Sequence, residues 1–304
     1  MPIKELSQKR IIDATKALRL GLDGEVIVDR PKPGDPDFYL SHTQLNMMLR
    51  CPKQYQFRYV DGRRVPPSGA LVFGKAFDVT TSVDYEVRRE AGEGLPQEAV
   101  LDLFSDSFDR GAGEEDIRWG DEDPGAMKDE GVVLVGNYTS EVSPTVQPKL
   151  VQHEGKFRLG AVEMKVVIDL VDQQNTVIDI KTAGRKWSDA AARIQHIPYL
   201  WYLSRLTKGA RPWEMQFLYH VNVRSAARQR LAGRGHAEMV QILPAVLSKA
   251  GFGLYYEQLF TVAKQIKAGL FPPRTAASGN YLCSEKFCGY WSLCAGRGQK
   301  VIGR

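Results

Sequence analysis

The 304-residue chain is poor in several things that would assign a class at once. It holds 4 cysteines and 5 histidines, and His42, His153, His196, His220 and His236 fall into no zinc or triad spacing. They read as structural or surface residues. No serine or cysteine sits in a nucleophile elbow, which argues against a serine or thiol hydrolase. No Gly-x-x-x-x-Gly-Lys-Ser/Thr loop is present, which excludes a P-loop motor. No apolar run approaches the roughly 18 residues of a membrane helix, and the polar start of the chain lacks the apolar core of a secretory signal. There is no internal repeat and no low-complexity tract. What remains, with 43% hydrophobic and 25% charged residues, is an ordinary globular composition expected in the cytoplasm.

The net charge of +5 hides a division. Residues 1–150 carry 19 Lys and Arg against 26 Asp and Glu, whereas residues 151–304 carry 22 against 10. A basic second half fits a polyanionic partner, nucleic acid first, or simply a solvated basic surface.

Residues 1–37 read as an N-terminal extension with one short amphipathic stretch at 11–20 and a Pro-rich loop. Residues 38–304 read as a single domain: a helical part at 38–145, a core at 146–235, and a C-terminal helix with a cysteine-bearing segment at 236–304. Ser41-His-Thr-Gln44 has the form of a capping box opening a helix to about residue 59. Further helices are expected at 70–89, 97–108, 190–206 and 237–268, the fourth disturbed by Pro198 and the last by Gly251 and Gly253. The acidic stretch 114–130 reads as a solvated loop. Strands are expected at 150–159, 166–172, 176–182 and 214–223. This order fits α/β or α+β architecture, a central mixed sheet flanked by helices.

The densest chemistry lies in residues 167–182. Side chains alternate along a strand, so Asp179 and Lys181 share one face while Ile178 and Ile180 take the other. A hairpin through Gln173-Gln174-Asn175 folds Asp169 back towards them. Two carboxylates, an ammonium and the Ile180 carbonyl can then converge. Such hard oxygen ligands suit Mg²⁺ or Mn²⁺, which would polarise a phosphodiester and acidify a water. In isolation the same residues would read as an ordinary surface hairpin. Gln195 and Tyr199, one helical turn apart, would present an amide and a phenol on one side, suited to phosphates and bases of a single strand or, for Tyr199, to core packing.

In order along the chain, these motifs resemble the PD-(D/E)xK nuclease superfamily, in particular its RecB-like exonuclease branch with the Cas4-like nucleases. The resemblance spans about residues 40–296. It rests on Leu40-Ser-His-Thr-Gln-Leu leading to Cys51-Pro-Lys-Gln-Tyr55, on Gly74-Lys-Ala-Phe-Asp78, on Asp169 ending a strand, on Asp179-Ile-Lys181-Thr182, and on Gln195-His-Ile-Pro-Tyr199. It implies a restriction-endonuclease-like α/β core, with Asp169, Asp179, Lys181, Gln195 and Tyr199 catalytic. A Mg²⁺ or Mn²⁺ ion would be held by Asp78, Asp169, Asp179 and the Ile180 carbonyl. The chain departs from the family pattern at Asp78, where the family has histidine, and at Val166, where glycine is frequent.

Cys51 and the trio Cys283-x4-Cys288-x5-Cys294 make four thiols in a chain where structural disulfides are not expected. Four thiolates suit a [4Fe–4S] cluster or tetrahedral Zn²⁺. The resemblance implies the iron–sulfur cluster, pinning the C-terminal segment to the N-terminal helices. The x4 spacing, longer than the family's usual x2, keeps zinc in play.

The reading is therefore a metal-dependent DNA exonuclease acting on single strands or DNA ends in recombination, repair or replication. Arg185, Lys186, Arg193, Arg224 and Arg228 would grip phosphates, and any unwinding would need a helicase or recombination partner. The alternative is a catalytically silent DNA-binding or assembly subunit that keeps the cysteine site as scaffold.

Overall fold

The computed structural model describes residues 33–35, 37–114, 116–188, 190, 193–235, 237–274 and 281–297, with Lys9, Ile11 and Asp13 besides. His236 and most of the expected stretch 11–20 lie outside them. The described residues cluster into two compact units. The first is built from Pro67–Glu154 and Val167–Leu247, with the described residues before Val26; the second contains those of Ile27–Pro66, Gly155–Val166 and the residues from Ser248 onward. Among the described residues, no helix is long and apolar enough to cross a membrane.

The first unit opens with helix α1 (Gly69–Ala91), capped by Ser68, whose hydroxyl accepts the Leu71 N–H. It is closed by Gly92 at a φ of +82°, a left-handed cap that glycine adopts without strain. Helix α2 (Gln97–Ala112) buries Val100, Leu103, Phe104 and Phe108. Helix α3 (Pro124–Asn137) was not expected: it occupies the second half of the acidic stretch taken for a solvated loop. Its start signal is local, since Asp123 accepts the Ala126 N–H at 2.7 Å and Pro124 sits in the first turn, where its missing N–H costs nothing.

Strands β1 (Pro148–Leu159), β2 (Val162–Asp172) and β3 (Val177–Ala183) follow. β2 and β3 pair antiparallel around a tight turn in which Asn175 takes a φ of +63°, a conformation asparagine tolerates. Helix α4 (His196–Leu206) then crosses over to β4 (Phe217–Val223), which lies parallel to β3. α4 starts later than expected, and Pro198 does not bend it. The proline lies in its first turn, where no intrahelical bond is lost.

Helix α5 (Arg224–Leu231) leads to β5 (Val240–Pro244), which pairs antiparallel with β4 as an edge strand. Here the expected long helix 237–268 fails in its first third. Pairing with β4 claims residues 240–244, and Pro244 is acceptable only at the end of such an edge. The result is a mixed sheet with the local order β2-β3-β4-β5 and β1 on β2. Helices flank both faces. Phe217 packs against His196 and Tyr199 of α4, whereas His220, of opposite parity, meets Tyr138 after α3.

In the second unit, a short strand, Leu40–Ser41, pairs parallel with Met164–Lys165. The capping box is present: Gln44 N donates to Ser41 Oγ, and Ser41 N to Gln44 Oε1 at 2.7 Å. The helix it opens ends at Arg50 rather than near residue 59. Cys51 is extended because it precedes Pro52, and a new helical turn, Pro52–Tyr55, begins on that proline. Lys249–Lys267 forms this unit's long helix, capped by Ser248.

Candidate active site

Strand β3 carries Asp179 and Lys181 on one face, with Ile178 and Ile180 buried on the other. The β2–β3 register matches Leu170 with Ile178 and Val171 with Val177, so one residue further Asp169 stands opposite Asp179. Asp169 Oδ2 accepts the Ile180 N–H at 3.0 Å. The Lys181 ammonium is drawn in between the two carboxylates, 2.6 Å from Asp179 Oδ2 and 3.7 Å from Asp169 Oδ2, and reaches the Ile180 carbonyl at 3.4 Å. The Asp179 side chain is 0% exposed, and its Oδ2 faces the Lys181 ammonium.

α1 passes this end of the sheet closely enough for a side chain at Gly74 to touch Thr182. One turn later, Asp78 comes within electrostatic reach of Asp169, Lys181 and Asp179. Burial, then repulsion from Asp169, pushes the Asp78 carboxyl up to about 7. Burial likewise pushes Asp179 to about 7, against the pull of Lys181. Burial alone would lower the Lys181 pKa, but Asp179 and Asp169 outweigh it and raise it, so the ammonium stays charged. Three carboxyls thus share one ammonium, and full ionisation leaves negative charge that only a further cation can offset.

Gln195 does not offer its amide outward. Its Nε2 donates to Asp179 Oδ1 at 2.9 Å and to the Tyr199 hydroxyl at 3.0 Å. Burial, then Asp179, raises the Tyr199 pKa and keeps the phenol protonated. Gln195 thus meets Asp179 directly and Tyr199 is tied to it through Gln195. Sequence reasoning missed Gln152 on β1, whose Nε2 donates to Asp78 Oδ1 at 3.0 Å and Ser82 Oγ at 2.9 Å. No pattern in the sequence marks it.

The five basic candidates separate. Arg224 is not a phosphate contact: its side chain is 6% exposed, its Nε lies 2.7 Å from Glu130 Oε2, its Nη1 2.8 Å from Glu122, and its guanidinium covers Phe73. Arg228 pairs with the other oxygen of Glu130 at 2.9 Å and Lys186 with Glu238 at 2.6 Å, both from exposed positions. Arg185 is exposed. Arg193 stacks on Trp187, 3.1 Å from the ring centroid, and among the described residues it pairs with no carboxylate. Trp187 is anchored by its backbone N–H, which donates to Gln241 Oε1 at 2.8 Å. Arg193 is near enough to Asp179 to favour that carboxylate's ionised form.

In the second unit Cys51, Cys283, Cys288 and Cys294 line one cavity, and none forms a disulfide. Gln54 Nε2 donates to Cys288 Sγ at 3.1 Å and the Arg274 N–H to Cys51 Sγ at 3.5 Å. Neither the cysteines nor the aspartates stand as a finished cage: among the described residues, no three His, Cys, Asp or Glu side chains are gathered tightly enough to hold a metal ion. By donor chemistry both sets nonetheless fit one. The aspartates bring hard oxygens and more negative charge than Lys181 offsets; the cysteines bring four sulfurs with N–H donors aimed at two of them.

A mixed sheet flanked by helices, with an Asp-x-Lys strand beside a second aspartate, defines a restriction-endonuclease-like α/β protein. The chain belongs to the PD-(D/E)XK nuclease superfamily, whose family model matches residues 39–295. Members of that superfamily typically use divalent metal ions. No curated protein of similar sequence was found. Among solved structures, a "Putative exonuclease" from Eubacterium rectale is similar at 12% identity over 85% of this chain and 93% of that one, with a TM-score of 0.48. A protein named SSO0001 is similar at 13% identity over 98% of both chains, with a TM-score of 0.36. At these values the two likenesses stand beside the family assignment and add nothing to it.

Proposed function

We propose that this nuclease is a metal-dependent DNA exonuclease of the RecB-like, Cas4-like kind, working in the cytoplasm on single strands or DNA ends during recombination, repair or replication. The observation that carries the reading is the Lys181 ammonium between Asp169 and the wholly buried Asp179, with the Asp78 carboxyl within electrostatic reach of all three. Asp78, Asp169, Asp179 and the Ile180 carbonyl would hold Mg²⁺ or Mn²⁺. When bound, such an ion polarises the phosphodiester and acidifies a water.

The protein's own groups do the rest. Lys181 orients the water and offsets charge developing on the phosphate oxygens, while Gln195 and Tyr199 keep Asp179 in place. Water oxygen bonds to phosphorus, the ester P–O bond breaks, and the leaving oxygen takes a proton. Arg193 on its Trp187 platform would meet the backbone phosphates, with Arg185 beyond it. Lys186 can exchange its exposed partner Glu238 for phosphate at little cost, and Arg228, itself exposed, would reach phosphate from beside the buried Glu130. Any duplex unwinding would come from a helicase or recombination partner. Incubation of labelled single- and double-stranded DNA with Mg²⁺, Mn²⁺ or chelator tests the reading. DNA binding without degradation under every metal would favour the silent assembly subunit.

The raised carboxyl pKa values make a second test. An unfolded aspartate loses its proton near 4, whereas folded Asp78 and Asp179 keep theirs to about 7. Folded protein therefore binds more protons between those values, and without metal its stability falls as pH rises from 4 to 7, then levels off. A divalent cation competes with those protons. Mn²⁺ is expected to raise the melting temperature clearly at pH 8 and hardly at pH 5.5; an equal rise at both would disprove the competition.

The cysteine cavity is read as the seat of a [4Fe–4S] cluster, with Zn²⁺ the alternative. N–H donors directed at Cys288 and Cys51 sulfur are what anionic sulfurs require. Anaerobically purified protein should be brown with about four irons per chain, as such a cluster demands. Cys288→Ser should bleach it. A colourless protein with about one zinc per chain would select the tetrahedral thiolate site.

A further inference from the structure

Among the described residues, three other than glycine have a positive φ in the left-handed region: Asp116, Asn175 and Gln152. The first two lie in turns, but Gln152, at +45°, lies inside strand β1. Such a backbone is costly for a side chain of this size and persists where surrounding contacts require it. In a regular strand, successive side chains alternate between faces; a left-handed residue re-aims its side chain.

What the departure achieves is visible on α1. Asp78 and Ser82 are one turn apart on a single helix face, and the Gln152 amide spans both, donating at 3.0 Å to Asp78 Oδ1 and at 2.9 Å to Ser82 Oγ. Both hydrogens of the amide nitrogen are thereby used, which fixes which end of the amide faces the helix. One oxygen of Asp78 is tied down while the group stays within reach of Asp169, Asp179 and Lys181. The donor is neutral, so it orients the carboxylate without cancelling the charge a cation would seek. An arginine or lysine at this position would cancel it.

We propose that Gln152 is a positioning residue that presents the Asp78 carboxylate to the divalent cation, and that its strained backbone is retained for this purpose. The inference rests on the reading of Asp78 as a metal ligand. A plain structural tie between β1 and α1 would share the same hydrogen bonds, but it differs in what glycine does. Gln152→Gly relieves the left-handed strain while deleting the amide.

The test is a calorimetric Mn²⁺ titration of the full-length chain and its Gln152→Gly, Asp78→Ala and doubly substituted variants, with melting curves taken without metal. Gln152→Gly is expected to keep or raise the melting temperature yet weaken Mn²⁺ binding on the order of tenfold, the usual cost of losing a partner of a ligand. In the Asp78→Ala background the glycine should cost nothing more, because the effect runs through Asp78. Unchanged Mn²⁺ affinity in Gln152→Gly, or losses that simply add in the double variant, would overturn the proposal while leaving the metal site standing. Unchanged affinity in Asp78→Ala, or no Mn²⁺ binding by the unsubstituted chain, would remove the metal reading of Asp78 and this inference with it.

Discussion

Lys181→Ala is expected to reduce DNA cleavage by a factor on the order of 10²–10³ or more, the scale seen when one preorganised charge-stabilising donor is removed. The ammonium lies 2.6 Å and 3.7 Å from two carboxylates, so its loss acts twice. The transition state loses a cation, and Asp179, wholly buried, loses its countercharge. DNA affinity should fall little, because Arg193, Arg185, Lys186 and Arg228 lie on other segments of the chain. Initial rates at saturating Mg²⁺, set beside oligonucleotide affinity, separate the two effects. Cleavage near the original rate would refute the assignment of Lys181. The variant should also melt lower at pH 8 than at pH 5.5, where Asp179 can be protonated.

Glu130→Ala is expected to destabilise the fold by about 3–5 kcal/mol, the cost of stranding a buried charge. Glu130 and Arg224 are 4% and 6% exposed, and their 2.7 Å contact is reinforced by Arg228 at 2.9 Å on the second carboxylate oxygen. Glu122 holds another nitrogen of Arg224 from a more exposed position and would neutralise it only in part. Replacing both partners together, Glu130→Met with Arg224→Met, should recover much of the loss, since an apolar pair of similar volume avoids burying any charge. Urea denaturation of the two variants measures both numbers. A loss below about 1 kcal/mol for Glu130→Ala would mean that Arg224 is solvated as an ordinary surface ion pair is.

The catalytic strand was legible because its information is local. A period of two puts Asp179 and Lys181 together whatever else the chain does, and a three-residue turn returns Asp169 to them. The Ser41–Gln44 capping box is local in the same way. So is the start of α3 at Asp123-Pro124, although its acidic composition suggested a loop. Residues 240–244 were misread for the opposite reason: their strand exists only because β4 offers an unpaired edge. Gln152 carried no signal, since a glutamine with a left-handed backbone looks like any other glutamine in sequence.

By itself, then, the sequence determined the alternation of β3, the hairpin that brings Asp169 back, the caps that start its helices and the ordered motifs of a PD-(D/E)XK nuclease. Each depends on residues within a few positions of one another, or on their order alone. Tertiary structure alone decided that Arg224 is buried against Glu130, 94 positions away, and that Gln152 holds Asp78 across 74. It also decided that Gln195 turns inward to Asp179. A charged or amide side chain can satisfy its donors and acceptors with water or with any of several protein and ligand groups. Its role is set by which partner the fold brings within about 3 Å once water has been excluded.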